Sequence, residues 1–193
     1  MSKSPTSPQT TLKLTAAQLG TLASSTRLAI IQRLDVDGEA SAREIAGRLG
    51  RPVTALYHHL DQLEKSGLIR VVELRSTGRR PEAVYAAASR QMSSADAVRT
   101  RSGRKNLIKV ASSALAASLR AFAAVASQAA TRFEGPQRNC AVRHLTFRAD
   151  DARLARINGL ISELEEAALH AGEGGENMLL TVLLAEVPGK RKG

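Results

Sequence analysis

Hydrogen-bonding and cationic side chains gather in one stretch of the chain, between residues 51 and 80. Apolar residues recur at helical spacing over residues 52–66, which leaves the opposite face of that helix to small and polar side chains. The apolar face carries Val53, Leu56, Leu60 and Leu63, and the opposite face carries Thr54, Ala55, His58, Asp61, Gln62 and Lys65. A B-DNA major groove about 12 Å wide accepts an α-helix, so the second face is suited to contacting base edges.

Cationic side chains flank this helix at both ends. Arg51 precedes it, and three arginines lie at or beside the tip of a hairpin that follows it. Long cationic side chains in such places can reach a phosphate or a narrow minor groove, and the hydroxyl of Tyr57 can also reach a phosphate. The predicted DNA-contacting residues are Arg51, Thr54, Ala55, Tyr57, His58, Gln62, Arg75, Arg79 and Arg80.

Motifs for catalysis or metal binding are absent from the sequence. It contains no Gly-rich phosphate loop, no nucleophile elbow and no paired carboxylates in a known arrangement, which predicts a protein that is not an enzyme and holds no cofactor. His58 and His59 point about 100° apart on a helix and have no third ligand nearby, so we predict no metal site. The single cysteine, Cys140, cannot form an internal disulfide and fits a reducing cytoplasm.

The charge of the chain is unevenly distributed. Its 193 residues carry a net charge of +10, which indicates a polyanionic partner, although a solvated basic surface would give the same count. Residues 1–90 and 91–134 each carry a net charge of +5, whereas residues 135–193 carry eight basic and eight acidic residues. Polar residues interrupt the apolar stretch 111–130 and the N-terminus lacks a signal-peptide core, so we expect a cytoplasmic protein without a membrane span.

Capping and turn signals place further elements around the candidate helix. The sequence predicts helices over 16–22, 25–34 and 41–49, the last beginning with the capping-box pair Ser41 and Glu44 and ending at Gly50. Pro52 is placed in the first turn of the next helix, which ends at Gly67. Strands over 68–75 and 82–88 form the hairpin, or wing. Two helices joined by the turn at Gly50 and Arg51 predict a helix-turn-helix.

The span from Leu22 to Ala88 resembles the arsenical-resistance-repressor-like (ArsR-like) winged-helix regulators. The matching stretches are residues 25–31, 43–50 and 54–69, followed by the hairpin that finishes at Val84 and Tyr85. The resemblance implies a dimeric transcription regulator that inserts helix 52–66 into the major groove of a palindromic operator, with a structural role for His59. Metal-sensing members of this family bind metal through paired cysteines on the helix-turn-helix, or through His, Asp or Glu side chains on the helix after the wing. Here the single cysteine, Cys140, lies far downstream, and residues 99–132 contain no His, Cys or Asp. We therefore expect no metal sensing.

The remainder of the chain predicts a second region whose role stays open. A basic run from Arg99 to Lys109 either flanks DNA or is a solvated helix start. Residues 107–133 form a long Ala-rich helix that either mediates dimerisation or packs within its own subunit. Beyond Gly135 and Pro136, strands over 140–148 and 178–187 enclose a helix over 151–171. This strand-helix-strand unit would serve dimerisation or the sensing of an unknown small-molecule effector.

The sequence therefore predicts a mainly α fold with small β elements. The expected parts are a disordered arm (1–13), a winged helix-turn-helix domain (14–90), a linker and long dimerisation helix (91–134), a β-α-β module (135–188) and a basic tail (189–193). The predicted function is sequence-specific transcription regulation by a homodimer, most simply as a repressor, with double-stranded DNA as partner. The alternatives are a non-specific architectural DNA-binding protein and a winged-helix module that binds proteins.

Overall fold

A computed structural model of the chain describes residues 11–76, 81–169 and 176–187. The chain divides into two compact units, residues 1–117 and residues 118–193. As predicted, it is mainly helical with small strands. The helices are α1 (Ala16–Leu22), α2 (Ser25–Asp37), α3 (Ala42–Leu49), α4 (Tyr57–Lys65), α5 (Arg101–Ala126) and α6 (Asp151–Leu169). The strands are β1 (Leu12–Lys13), β2 (Ala40–Ser41), β3 (Ile69–Ser76), β4 (Pro81–Ala87) and β5 (Met92–Ser93).

The core of the first unit lies between helices α1–α4 and a three-stranded sheet. In that sheet β4 is central and pairs antiparallel with both β2 and β3. Leucines from α1 and α4 meet isoleucines from α2 and α3 in the centre. The fully buried apolar side chains are Leu19, Ile30, Ile45, Leu56, Leu60, Leu63, Leu68, Ile69 and Val84. Each such side chain contributes about 1.5–3 kcal/mol by leaving water, so this core fixes the positions of α3 and α4.

Both ends of this unit extend further than the sequence indicated. Residues 11–13 are not part of a disordered arm, because β1 pairs in parallel with β5 and Leu14 is buried in the core. Residues 91–99, predicted as a linker, supply β5 and a 3-10 turn (Ala97–Arg99) whose Ala97 is buried. β1 and β5 are two residues long, which is too short to show the alternation of apolar and polar residues that predicts a strand. The contact that pairs them joins residues 80 positions apart, so no local pattern reveals it.

Several helix boundaries also differ from the prediction. The long helix predicted over 107–133 is α5, which begins six residues earlier, at Arg101, and ends at Ala126. Helix α2 continues three residues beyond Leu34, to Asp37, through a polar turn that the apolar periodicity did not mark. The predicted helix 52–66 begins as a 3-10 turn (Val53–Ala55), and α4 starts only at Tyr57. Pro52 has a ψ of 135°, which is extended backbone, so it precedes the helix instead of forming its first turn.

Helix α5 is long, and its first half packs on α1. The side-chain amide of Asn106 donates to the carbonyl of Ala16 at 3.0 Å, and the hydroxyl of Ser113 donates to the carbonyl of Ala23 at 3.1 Å. By length and composition α5 is also apolar enough to cross a membrane. Length and composition alone do not distinguish a membrane span from a helix that packs on protein. The hydrogen bonds of Asn106 and Ser113 are contacts of α5 with protein.

In the second unit the predicted strand-helix-strand arrangement is wrong. Only its helix is present, as α6, because neither 140–148 nor 178–187 forms a strand. The alternation over 140–148 identified residues that share a face, but a strand also requires a neighbour for its backbone hydrogen bonds. Within the described residues neither segment has one. Many large apolar side chains of this unit are exposed, including Val142, Leu145, Leu160, Leu180, Leu183 and Val187.

Candidate nucleic-acid interface

The helix that precedes the candidate interface is fixed at both ends. The hydroxyl of Ser41 accepts the backbone N–H of Glu44 at 3.3 Å, and the Glu44 carboxylate accepts the backbone N–H of Ser41 at 2.6 Å. This confirms the predicted capping box of α3. The hydrogen bond from Ser41 holds the pKa of Glu44 below its ordinary value. At its other end α3 stops at Gly50, whose φ of 60° is the left-handed conformation that favours glycine.

The turn after Gly50 and helix α4 are held by buried leucines. Leu56, Leu60 and Leu63 are almost fully buried, and α4 packs on α2 and on the 3-10 turn. The predicted apolar face is therefore confirmed as the buried face. Because three anchors along two turns fix the rotation of α4, the opposite face is held towards solvent.

Most of the predicted DNA-contacting residues are exposed, either on that face of α4 or in the turn before it. Arg51, Thr54, Ala55, Tyr57 and His58 are all exposed, Tyr57 to 53%. Arg51, Thr54 and Ala55 belong to the turn segment and not to α4. The turn and the first helical turn of α4 therefore present one continuous polar surface, with short side chains at its centre and Arg51 and Tyr57 beside them.

Gln62 differs from the other predicted contacts. It is half-buried, and its side-chain oxygen accepts a hydrogen bond from the guanidinium of Arg27 on α2. Arg27 also donates to the backbone carbonyl of Thr21. Gln62 thus joins α4 to α2, and only its amide nitrogen remains to meet a base.

The two neighbouring histidines have different surroundings. His58 is exposed, whereas His59 is half-buried and its Nδ1 has no hydrogen-bond partner within the described chain. Burial and the nearby positive charge of Arg27 lower the pKa of His59, which disfavours the protonated ring. The ring centroids lie 5.9 Å apart. No group of three potential metal ligands occurs among the residues that the structure describes.

The wing is the hairpin of β3 and β4, in which Arg75 pairs with Glu82 across the strands. The Arg75 guanidinium contacts the carboxylate of Glu44 at 3.3 Å and that of Glu73 at 3.0 Å. These partners, Glu73 first, raise the pKa of Arg75. A phosphate would have to compete with two carboxylates for this side chain. The other two predicted wing contacts, Arg79 and Arg80, lie outside the described residues.

Comparison with known proteins identifies this part of the chain. Residues 22–72 match the family model of a helix-turn-helix domain, a span that contains α2, α3, α4 and the start of β3. The match lies within the span that resembles the ArsR-like regulators and confirms that resemblance at the level of the helix-turn-helix. A helix-turn-helix domain of this kind is a DNA-binding module of transcription regulators.

The other comparisons add little to the helix-turn-helix match. No curated protein sequence matches the chain. Among solved structures, the one titled "Structure of Disulfide formed AbfR" is 12% identical, covers 80% of each chain and has a TM-score of 0.31. A similarity at that level supports no argument about the fold or function of this protein.

Two residues that shape the helix-turn-helix domain were not predicted as part of the interface. Arg27 lines a surface groove of about 440 Å³ beside α4, together with Gln62 and Lys65. Glu44 contacts the wing residue Arg75 across 31 positions of sequence. Arg27 belongs to the stretch that resembles the ArsR-like family, but its role depends on how α2 crosses α4. The sequence offered no local signal for that crossing.

Proposed function

We propose that this protein is a cytoplasmic, homodimeric, sequence-specific transcription regulator of the ArsR-like type, acting as a repressor. The turn 51–55 and the start of α4 enter the major groove, and the wing lies over the adjacent phosphates or minor groove. The observation that carries the proposal is the division of α4 into a fully buried leucine face and an exposed polar face. The small and hydrogen-bonding side chains of the preceding turn, Thr54 and Ala55, are exposed beside this face, and such side chains suit contacts with base edges.

Residues outside the helix-turn-helix domain have supporting roles in this proposal. Dimerisation places two copies of α4 on successive major grooves, about 34 Å apart. Residues 91–134 and 135–188 supply the dimer contacts, and the second of these regions is the place for a small-molecule effector if the regulator senses one. The side chains proposed to read base edges are those of Thr54, Ala55, His58 and Gln62. The residues proposed to contact phosphate are Arg51, Tyr57, Arg75, Arg79 and Arg80.

The experiment that tests this function begins with a selection from random DNA duplexes by the purified full-length protein. Enrichment of a palindrome with half-sites one helical turn apart supports the proposal. Variants then separate the two kinds of contact. Thr54→Ala and His58→Ala are expected to change the preferred sequence, each by about 1–3 kcal/mol at one position. Arg79→Ala and Arg80→Ala are expected to weaken binding to all sequences about equally.

A matched control uses Lys13→Ala, which removes an exposed cationic side chain outside the proposed DNA and dimer contacts. It should leave both affinity and preference unchanged. If Thr54→Ala and His58→Ala bound the selected and scrambled duplexes with the same ratio as the parent, the placement of α4 in the major groove would be wrong.

A non-specific architectural DNA-binding protein is the second candidate function. The observation that favours it is the basic run at the start of α5, because the side chains of Arg99, Arg101, Arg104, Lys105 and Lys109 are all exposed. Such a run can follow a phosphate backbone without reading bases. Binding without enrichment of any sequence would select this function. Failure to bind DNA at all would select a winged-helix module that binds proteins.

A further inference from the structure

Helix α6 has an apolar stripe that its own unit leaves largely uncovered. None of its residues is buried in the structure as described. Leu154, Leu160 and Leu164 are exposed to 41%, 54% and 43%, while Ile157 and Ile161 are half-buried. At 100° per residue, all five lie within an arc of about 120°. An amphipathic helix of this kind is stabilised by packing its stripe, so the stripe requires a further partner.

Beyond its first turn, the charged residues of α6 change from basic to acidic along the helix. Asp150 caps the start through a 2.8 Å bond to the backbone N–H of Arg153, and Asp151 lies in the first turn. Arg153 and Arg156 follow in the first half, whereas the second half carries glutamates and the last turn has no basic residue. The helix dipole favours acidic residues at the N-terminus and basic residues at the C-terminus. Asp150 and Asp151 agree with this preference, but it does not account for the order of the arginines and glutamates that follow.

Arg156 and Glu163 occupy equivalent places along the helix. They are seven residues apart, which is two turns, and both border the apolar stripe on the side of Leu160. Both are exposed, and neither forms an ion pair with any residue that the structure describes. Each is thus a charge without an ion-pair partner at the edge of an exposed apolar surface. Arg156 also lines a groove with Leu145, Phe147 and Ile157.

An antiparallel pair of α6 helices would match these charges. In such a pair the same flanks of the two helices face each other, and residues equidistant from the two-fold axis meet. An axis that passes between residues 159 and 160, close to the midpoint of α6, places Arg156 opposite the partner's Glu163. By symmetry Glu163 then lies opposite the partner's Arg156, so a single axis satisfies both charges. A parallel pair would bring the opposite flanks together and would leave both residues without these partners.

The charge of the second region favours a second copy as the occupant over DNA. Residues 135–193 carry no net charge, whereas the whole excess of ten positive charges lies in residues 1–134. A neutral surface with an apolar stripe gains nothing from a phosphate backbone. Interface cores are depleted of charge while their rims are polar, which fits an apolar stripe bordered by charged residues.

We propose that α6 pairs antiparallel with α6 of a second copy of this chain, with the apolar stripe buried between the helices and Arg156 facing the partner's Glu163. The proposal rests on the proposed function only in that the regulator is a dimer. The pairing itself is tested without DNA. Its sharpest consequence is that reversal of either charge separates the copies, whereas reversal of both restores the pair.

The test measures the dimer dissociation constant of the full-length protein by sedimentation equilibrium. Arg156→Glu and Glu163→Arg should each raise Kd at least about tenfold, because each places like charges opposite one another. The variant that combines both changes should return to within about threefold of the parent. An equimolar mixture of the two single variants should form heterodimers, because each copy then meets opposite charges. Lys13→Glu, an equal change of charge outside the regions proposed to form the dimer, should leave Kd unchanged.

Cross-linking tests the direction of the pair. In a Cys140→Ala background, Leu160→Cys places two thiols near the axis and should form a disulfide-linked dimer. Ala167→Cys, seven residues farther along the same flank, should not, because antiparallel copies of that residue lie about 20 Å apart at 1.5 Å per residue. Linking at both positions would show a parallel pair and overturn the proposal.

The outcomes separate this proposal from the proposed function. A dimer whose Kd is unchanged in both single charge variants overturns the α6 pairing and leaves a dimeric regulator with another interface. A parent protein that stays monomeric at every concentration tested overturns both the pairing and the dimeric part of the function. Loss of sequence preference in DNA selection overturns the regulatory function and leaves the pairing as measured. Circular dichroism of each variant confirms that the helices are retained.

Discussion

At the scale of single residues, Asp35 on α2 is a buried carboxyl whose protonation is linked to stability. Burial raises the pKa of its carboxyl to about 6, against a smaller opposite effect from Arg90. One carboxylate oxygen is buried without a hydrogen-bond partner among the described residues. The folded protein therefore retains a proton between about pH 4 and pH 6 that the unfolded chain releases, so the free energy of unfolding falls as pH rises through this window.

Asp35→Asn is expected to stabilise the protein at pH 8 by about 1–3 kcal/mol and to have little effect at pH 4. The reason is that the amide keeps the shape of the side chain and removes the cost of a buried charge. Urea unfolding at the two pH values measures the difference. Asp37→Asn is the matched control: Asp37 pairs with Arg48 at 3.3 Å, so its loss should destabilise. Equal effects of both changes at pH 8 would contradict this account.

The exposure of individual side chains was predictable where the periodicity of a single helix determines it. The exposure of Thr54, Tyr57 and His58 follows from the leucine stripe of α4, because a helix with one buried face must present the other. Gln62 shows the limit. Its partner Arg27 is 35 positions away, and the crossing of α2 and α4 decides whether the two side chains meet. No periodicity within either helix contains that information.

At the scale of elements, the start of α5 lies close to the backbone of the 3-10 turn Ala97–Arg99, and the closest approach is at Gly103. A Cβ added at Gly103 would lie 1.8 Å from the carbonyl oxygen of Ala97, which belongs to the 3-10 turn packed in the core. Gly103→Ala is therefore expected to lower the free energy of unfolding by about 2 kcal/mol or more. Gly159→Ala on α6 is the control, since nothing lies within 4 Å of its added Cβ. It should stabilise by about 0.5–1 kcal/mol, and thermal unfolding of both variants compares them.

Elements were predictable where capping and periodicity agree and were not where tertiary pairing decides. Helix α3 was predicted from Ser41, Glu44 and Gly50, because all three signals are local. The segment 140–148 has the alternation of a strand yet lacks a neighbour for its backbone. The 3-10 turn before α4 was not predicted for a related reason. Proline is common both in the first turn of a helix and in extended backbone, so Pro52 alone does not decide the conformation. The burial of Leu56 is a tertiary contact that the local sequence does not show.

At the scale of the whole molecule, the uneven charge predicts how DNA binding depends on salt. Two copies would bring eight arginines to DNA from positions 51, 75, 79 and 80. Displacement of that many counterions should lower the affinity by about 10³–10⁵ between 50 and 200 mM salt.

Arg51→Ala should reduce the slope of log K against log salt by about two in a dimer, one for each copy. Arg75→Ala should reduce it less, because Glu44 and Glu73 already neutralise that side chain. Equal slopes for parent and Arg51→Ala, measured by fluorescence anisotropy, would remove Arg51 from the interface.

Dimerisation through α6 should also control how the protein distinguishes a palindrome from a half-site. Two linked helix-turn-helix domains bind two half-sites with a gain that separate domains lack. Arg156→Glu and Glu163→Arg change the net charge in opposite directions, so a purely electrostatic effect on DNA would have opposite signs. Both should nevertheless weaken binding to the palindrome and leave half-site binding within about twofold, and the combined variant should recover the palindrome affinity. Opposite effects of the two variants would mean that α6 acts through charge near DNA and not through the dimer.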